Sequence, residues 1–152
     1  SLFLMLPTHP FYFNHNTKDI SIGQDNLKVD LVTANNVTKF KILAKQYVPN
    51  DRTFIATPFF PGLYALLERK SPTWEILATL PRSADFQRAE IERIKTANPS
   101  LVFIDNSALD KREDFRFSNT HPIIYQYICD NFERLNDVTQ IIAIYRSKHE
   151  NL

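Results

Sequence analysis

Two short, uninterrupted runs of apolar and β-forming residues constrain this chain more than anything else in it. Residues 53–56 read Thr-Phe-Ile-Ala, and residues 101–104 read Leu-Val-Phe-Ile and lead into Asp105. A strand with one wet face alternates apolar and polar side chains, whereas a strand covered on both faces need not. Turn residues bound both runs: Asn50-Asp51 and Pro58 flank the first, Asn98-Pro99 and Asn106 the second. Helical patterns lie between them. Pro61-Gly62 opens a stretch with Leu63, Leu66 and Leu67 at helical spacing, and a first-turn proline lacks only an N–H that would be unbonded anyway. Ser83 or Asp85 is placed to cap a second helix carrying Phe86, Ala89, Ile91, Ile94 and Ala97. Strand, helix, loop, helix and strand make a βαβ pattern. The expected fold is therefore α/β: a layered αβα, Rossmann-like domain with a mostly parallel sheet, the two apolar runs adjacent and parallel.

The remaining segments are read around that centre. Residues 1–18 form an irregular lead-in after a possible membrane helix, residues 19–148 one α/β domain, and residues 149–152 a tail. Ile20 and Ile22, then Leu27, Val29 and Leu31, alternate around the turn-rich Gly23-Gln-Asp-Asn26 and predict a hairpin. Asn35 or Asn36 is expected to cap a helix with Val37, Phe40, Leu43, Ala44 and Tyr47 on its inner face, stopped by Pro49. Its lysines 39, 41 and 45 then lie on a solvated face. The stretch 70–82, with the only tryptophan, Trp74, is an irregular crossing or a short strand at 76–79. Residues 106–120 form a charged loop of about fifteen residues, long enough to be functional or mobile. Thr120-His121-Pro122 starts a last helix with Ile124, Tyr127, Ile128, Asn131 and Leu135 in one stripe, broadened by Ile123 and Phe132. Residues 139–145 predict a final strand.

Composition narrows function mostly by exclusion. A chain of 152 residues, 43% hydrophobic and 23% charged, suits one globular domain. A net charge of +1 argues against a general attraction to nucleic acid. The only glycines are Gly23 and Gly62, which rules out Gly-rich phosphate loops, and no cofactor is expected. Cys129 is the single cysteine, so there is no intrachain disulfide, and its apolar neighbours predict a buried, inert thiol. His9 and His15 have no ligand pattern between them and read as solvated or packing histidines, so no metal is expected. No run of about 18 apolar residues occurs. With serine first and its only methionine at position 5, the chain is expected to be a piece of a longer protein.

Ligands of open α/β sheets sit outside the C-terminal ends of the strands. Thr57 and Asp105 end the two apolar runs, and with Asn106, Tyr64 and Arg82 they make up the candidate ligand-binding set. Asp105 has two readings, a general base or sugar-hydroxyl acceptor, and a turn carboxylate bonded to its own backbone. His121 could approach the same edge. Arg52, Arg69, Arg82, Arg112 and Arg116 form either one anion site or ordinary surface. No Ser-His-Asp, Cys-His or HExxH arrangement is present, so no catalytic residue is assigned. Phe59 and Phe60, adjacent between two prolines, cannot easily enter one core. Either they form a docking surface beside the charged loop, or one packs under Trp74 or the last helix and the other against the lead-in.

Some of these motifs recur in a known order. A helix ends in Tyr47-Val-Pro-Asn-Asp51, and a strand in Thr57-Pro58. Pro61-Gly-Leu-Tyr64 runs on to Leu66-Leu67-Glu-Arg69 and Ser71-Pro72. A helix and strand follow at 91–99 and 101–105, and a terminal helix leads to a strand ending Ile144-Tyr-Arg146. Over residues 19–148 this resembles the soluble C-terminal extracytoplasmic domain of multi-spanning bacterial glycosyltransferases. These are the polyprenol-phosphate-sugar-dependent class related to protein mannosyltransferases and aminoarabinose transferases. In that family the catalytic carboxylate lies in a loop between transmembrane helices, which has no counterpart here. The resemblance implies a non-catalytic periplasmic domain covering a membrane active site. Its partners would be the transmembrane portion of the same polypeptide and a lipid-linked sugar, with Leu2-Phe-Leu-Met-Leu6 as the exit from the last membrane helix. The alternative is a small independent α/β enzyme or ligand-binding protein with its site near Thr57 and Asp105.

Overall fold

The computed structural model describes residues 17–135 and 142–148. The lead-in with His9 and His15, the first residues of the expected last strand and the tail lie outside them. Strands β1 (Thr17–Ile22) and β2 (Asp25–Asp30) pair antiparallel as the expected hairpin. Gly23 turns it with a φ of 58°, a left-handed conformation that costs glycine least. Helix α1 (Leu31–Tyr47) follows without a loop. Its cap is Asp30, not Asn35 or Asn36: Thr33 donates its N–H and its hydroxyl to the Asp30 carboxylate at 3.0 and 2.6 Å. Leu31, read from its alternation as strand, thus opens an exposed first helical turn with Val32. A local cap outweighs a weak period-two signal.

The main sheet has strand order β3-β4-β6-β5, built from β3 (Phe54–Thr57), β4 (Leu101–Asp105), β5 (Phe132–Arg134) and β6 (Ile142–Ser147). β3 and β4 are neighbours and parallel, with Phe54 opposite Leu101 and Thr57 opposite Ile104. The other two pairings are antiparallel, so the sheet is mixed where a mostly parallel one was expected. The chain between β5 and β6, residues 135–141, is too short for a parallel crossover, which takes about a dozen residues or more. Strand β5 itself was not foreseen. Phe132 continues the apolar stripe of α5 (Pro122–Asn131) in sequence, yet pairs with Ser147 across the sheet.

Between β3 and β4 come α2 (Gly62–Leu66), an irregular stretch at 70–82 with no strand at 76–79, and α3 (Ala84–Ala97). Ser83 caps α3, its hydroxyl accepting from Phe86 N–H at 3.3 Å, and Asn98 closes it in the left-handed region. The charged stretch after β4 folds into two single turns, Leu109–Lys111 and Glu113–Phe115, then α4 (Phe117–Thr120). Ion pairs Arg112–Asp114 (2.5 Å) and Arg116–Glu113 (2.6 Å) lie within it, and Phe117 is buried.

Because strand side chains alternate, β3 and β4 send one set to each face. Phe54, Ala56, Leu101 and Phe103 pack with Phe40, Leu43, Leu63 and Tyr64 of α1 and α2. Ile55, Val102 and Ile104 pack with Ile91, Ile94, Ile124 and Ile128 of α3 and α5. Cys129 is half-buried, not buried as expected. Ile124 and Ile128 hold the sheet-facing line of α5, and the next residue stands about 100° round the helix.

Phe103 anchors the first cluster: fully buried, it meets Phe40 edge-on at 5.2 Å and Phe54 at 5.6 Å. Phe103→Ala is expected to lower unfolding free energy by about 3–5 kcal/mol, read as a reduced urea midpoint. A loss under about 1 kcal/mol would show that this face is loosely packed.

Candidate functional site

The irregular stretch 70–82 poses a hydrogen-bonding problem, since backbone groups outside helix and sheet still need partners when covered. Its partners come from α3. Glu90, 1% exposed, accepts through Oε2 from the N–H groups of Trp74 (2.9 Å) and Glu75 (3.4 Å). Gln87, 2% exposed, donates from Nε2 to the Arg82 carbonyl at 2.9 Å. Its Oε1 accepts from the N–H groups of Ile123 and Ile124 at 2.9 and 3.4 Å. Those N–H groups lie in the first turn of α5, where no carbonyl of the same helix can reach them. Gln87 therefore ties α3 to both the crossing stretch and the start of α5. Two backbone contacts complete the attachment: Ala78 N–H to the Pro58 carbonyl just after β3, and Arg82 N–H to the Thr120 carbonyl at the end of α4.

His121 lies beneath this roof, fully buried and stacked on Phe117 at 5.2 Å. Its Nε2 is 2.9 Å from Glu75 Oε2 and its Nδ1 2.9 Å from Thr120 Oγ1. An ionised carboxylate only accepts, so neutral His121 carries its proton on Nε2 and accepts at Nδ1 from the Thr120 hydroxyl. Arg82 donates to the other oxygen of Glu75 at 2.7 Å, and Arg93 to Glu90 Oε1 at 2.8 Å. A space of about 20 Å³, room for one water molecule, lies among Thr57, Thr73, Glu75, Glu90 and His121. Burial pushes the His121 pKa below its ordinary value, against the opposing pull of Glu75. The hydroxyl–imidazole–carboxylate chain has the components of a catalytic relay. Thr120 and His121 are, however, 1% and 0% exposed, so the network as it stands joins segments and does not face solvent.

The sequence-derived candidates are distributed by the pleat. Thr57 and Asp105 end adjacent strands, but their side chains leave on opposite faces. Thr57 lies with the α3 and α5 side, at the small space beside His121. Asp105 pairs with Ile142, whose side chain joins the α1 side. The Asp105 carboxylate accepts from Ser107 N–H at 2.8 Å, the turn arrangement among its two readings. Asn106 holds Arg116 through its carbonyl, while its buried Oδ1 has no hydrogen-bond partner among the described residues. The Tyr64 hydroxyl accepts from Ala56 N–H at 3.0 Å, a donor that edge strand β3 would otherwise leave open, and its ring stacks on Phe54 at 4.9 Å. Burial pushes its phenol pKa up. The loop arginines go to different partners: Arg52 to Asn98, Arg69 to Asn50, Arg82 to Glu75, Arg112 to Asp114 and Arg116 to Glu113.

Phe60 packs on the α1-side core, 6.4 Å from Phe40. With Phe59 it lines a groove of about 390 Å³ that also includes Ile20, Val37 and Ile142. Neither lies under Trp74, which is 76% exposed. Ile76, Leu77 and Leu80 are 44%, 51% and 56% exposed, so the crossing stretch turns four large apolar side chains outward. Sequence reading passed over this surface and the network below it. The available signal was an apolar stretch between Pro72 and Pro81 with neither helical nor strand period. Among the described residues, no helix is long and apolar enough to cross a membrane, and no three His, Cys, Asp or Glu side chains group as metal ligands.

The lowered His121 pKa has a sign. Below the unfolded-state value of about 6.5 the unfolded chain binds the proton more readily than the folded one. Stability from neutral His121 is therefore complete above about pH 6.5 and is lost as pH falls through the lower folded value. The urea midpoint is expected to drop on going just below that pH, and His121→Gln is expected to flatten this part of the profile. An unchanged slope in the variant would assign it to other groups. Glu90→Ala, which strips two N–H groups and Arg93 of their acceptor, is expected to cost about 3–5 kcal/mol, measured by the same denaturation.

Compared with protein-family models, curated proteins and solved structures, the chain matches none.

Proposed function

We propose that this chain is a non-catalytic accessory domain of a membrane-bound glycosyltransferase-like protein, placed on the extracytoplasmic face and working by docking. Its partner in this reading is the membrane portion of the same polypeptide, near which a lipid-linked sugar would bind. The sugar-transfer context rests on the motif resemblance across residues 19–148. The layered, Rossmann-like arrangement belongs to the same reading, and the helices on both faces of the sheet lend it support.

The single observation that carries the docking role is the stretch 74–80. Four large apolar side chains face solvent there, on a backbone with no regular structure of its own. Left to itself such a stretch would fold inward or stay unordered. It is instead held by Glu90, Gln87 and the Glu75–His121 pair. Buried polar groups spent on presenting apolar ones outward fit a recognition surface better than a reaction centre.

The test is Trp74→Ser with Leu77→Ser, made in the isolated chain and in the parent protein. Both positions are exposed, so the isolated variant is expected to keep its unfolding free energy to within about 1 kcal/mol, most of it the lost contact of Trp74 with Arg93. Sugar transfer or assembly of the parent is expected to fall roughly tenfold or more, equivalent to about 1.4 kcal/mol of docking energy. A parent with undiminished function refutes the docking role. Turnover of a sugar phosphate or ester by the isolated chain, abolished by His121→Gln, would replace it with an enzymatic one.

A further inference from the structure

The occupant of the exposed stretch follows from the distribution of charge around it. Trp74, Ile76, Leu77 and Leu80 project from one short irregular segment, not from a groove or a helix face. Cations border them. Lys70 is exposed at the start of the segment, Arg82 is 44% exposed at its end, and the Arg93 guanidinium lies 4.0 Å over the Trp74 ring with one third of its side chain exposed. The carboxylates that answer the two arginines lie below the surface. The Glu75 side chain is 10% exposed and that of Glu90 1%. Of the exposed carboxylates nearby in sequence, Asp85 is bonded to Arg88 at 2.9 Å, Glu92 to Lys95 at 2.7 Å, and Glu68 precedes Lys70 by two residues. At Arg82 and Arg93, solvent therefore meets apolar tips beside guanidinium groups whose matching carboxylates are buried or nearly so.

We infer that residues 74–80 form an interfacial anchor that inserts into the surface of an anionic lipid bilayer. This rests on the docking reading and specifies its partner. An indole beside aliphatic side chains suits the boundary between headgroups and acyl chains, where one edge is wet and the other apolar. Arginines on the rim reach anionic headgroups while their stems cover apolar surface. Such binding combines buried apolar area with attraction to anionic lipid and weakens as salt rises. A protein partner would more naturally meet the stretch with carboxylates and a concave face; that is the competing outcome.

Trp74 is the only tryptophan, so its fluorescence reports on this stretch alone. The whole 152-residue chain is mixed with vesicles of phosphatidylcholine, or of phosphatidylcholine with phosphatidylglycerol. With the anionic vesicles, emission is expected to move to shorter wavelength and to be quenched by lipids brominated on their acyl chains. Raised salt is expected to reverse both effects. Ile76→Ser with Leu77→Ser is expected to weaken binding roughly tenfold or more, with far-ultraviolet circular dichroism unchanged. Absence of a shift, equal binding to phosphatidylcholine alone, or binding unaffected by salt overturns the proposal. So does a shift without lipid that grows with protein concentration, which identifies a second copy as the occupant. If lipid binding fails while Trp74→Ser with Leu77→Ser still disables the parent, docking stands and the bilayer is excluded as its partner.

Discussion

Everything in this domain hangs on the parallel pairing of β3 with β4. Both strands are covered on both faces, so each contributes apolar side chains to two cores at once. A pairing buried in this way fixes register, because a one-residue slip would exchange the two sets of side chains. It also divides the chemistry of the sheet edge. Thr57 and Asp105 finish neighbouring strands one register step apart, and that step sends them to opposite sides. Strand-end candidates adjacent in a diagram are thus separated by the thickness of the sheet.

On the α3 and α5 side, the stretch 70–82 covers the sheet without regular structure, and side chains supply what a helix or strand would have supplied from backbone. Glu90 serves two N–H groups and a guanidinium, and Gln87 serves one carbonyl and two N–H groups. Buried polar groups of this kind stabilise only when fully satisfied, and a missing member leaves its partners exposed to the full cost of desolvation. The Glu75–His121 contact adds a proton-dependent element to the same attachment. The domain thereby holds an apolar surface outward, an arrangement that hydrophobic burial alone would not choose.

Much of the framework was legible because it depends on short-range rules. Ser83 caps α3 as its position predicts, and residues 53–56 and 101–104 lie in adjacent parallel strands as their composition predicts. The misreadings arose where two local signals competed. The alternation of Leu27, Val29 and Leu31 concealed the Asp30 cap, and the helical spacing of Phe132 concealed a strand. The candidate site was harder still. Glu90 and Gln87 are polar residues on the buried face of an amphipathic helix, and a hydrophobic period assigns polar residues to solvent. Their partners lie 16 and 36 residues away for Trp74 and Ile123, beyond any local pattern.

By itself, then, the amino-acid sequence determined the class of fold, the central strand pair, the hairpin, both limits of α3 and the starts of α2 and α5. These follow from side-chain periodicity, proline geometry and caps, which act over a few residues. Tertiary structure alone decided that the sheet is mixed, which face each strand-end residue takes, that His121 and Glu75 meet, and that Trp74 with its apolar neighbours stays outside. Each of these turns on which distant backbone groups a buried polar side chain satisfies. That matching is made in three dimensions, and leaves no periodic trace along the chain.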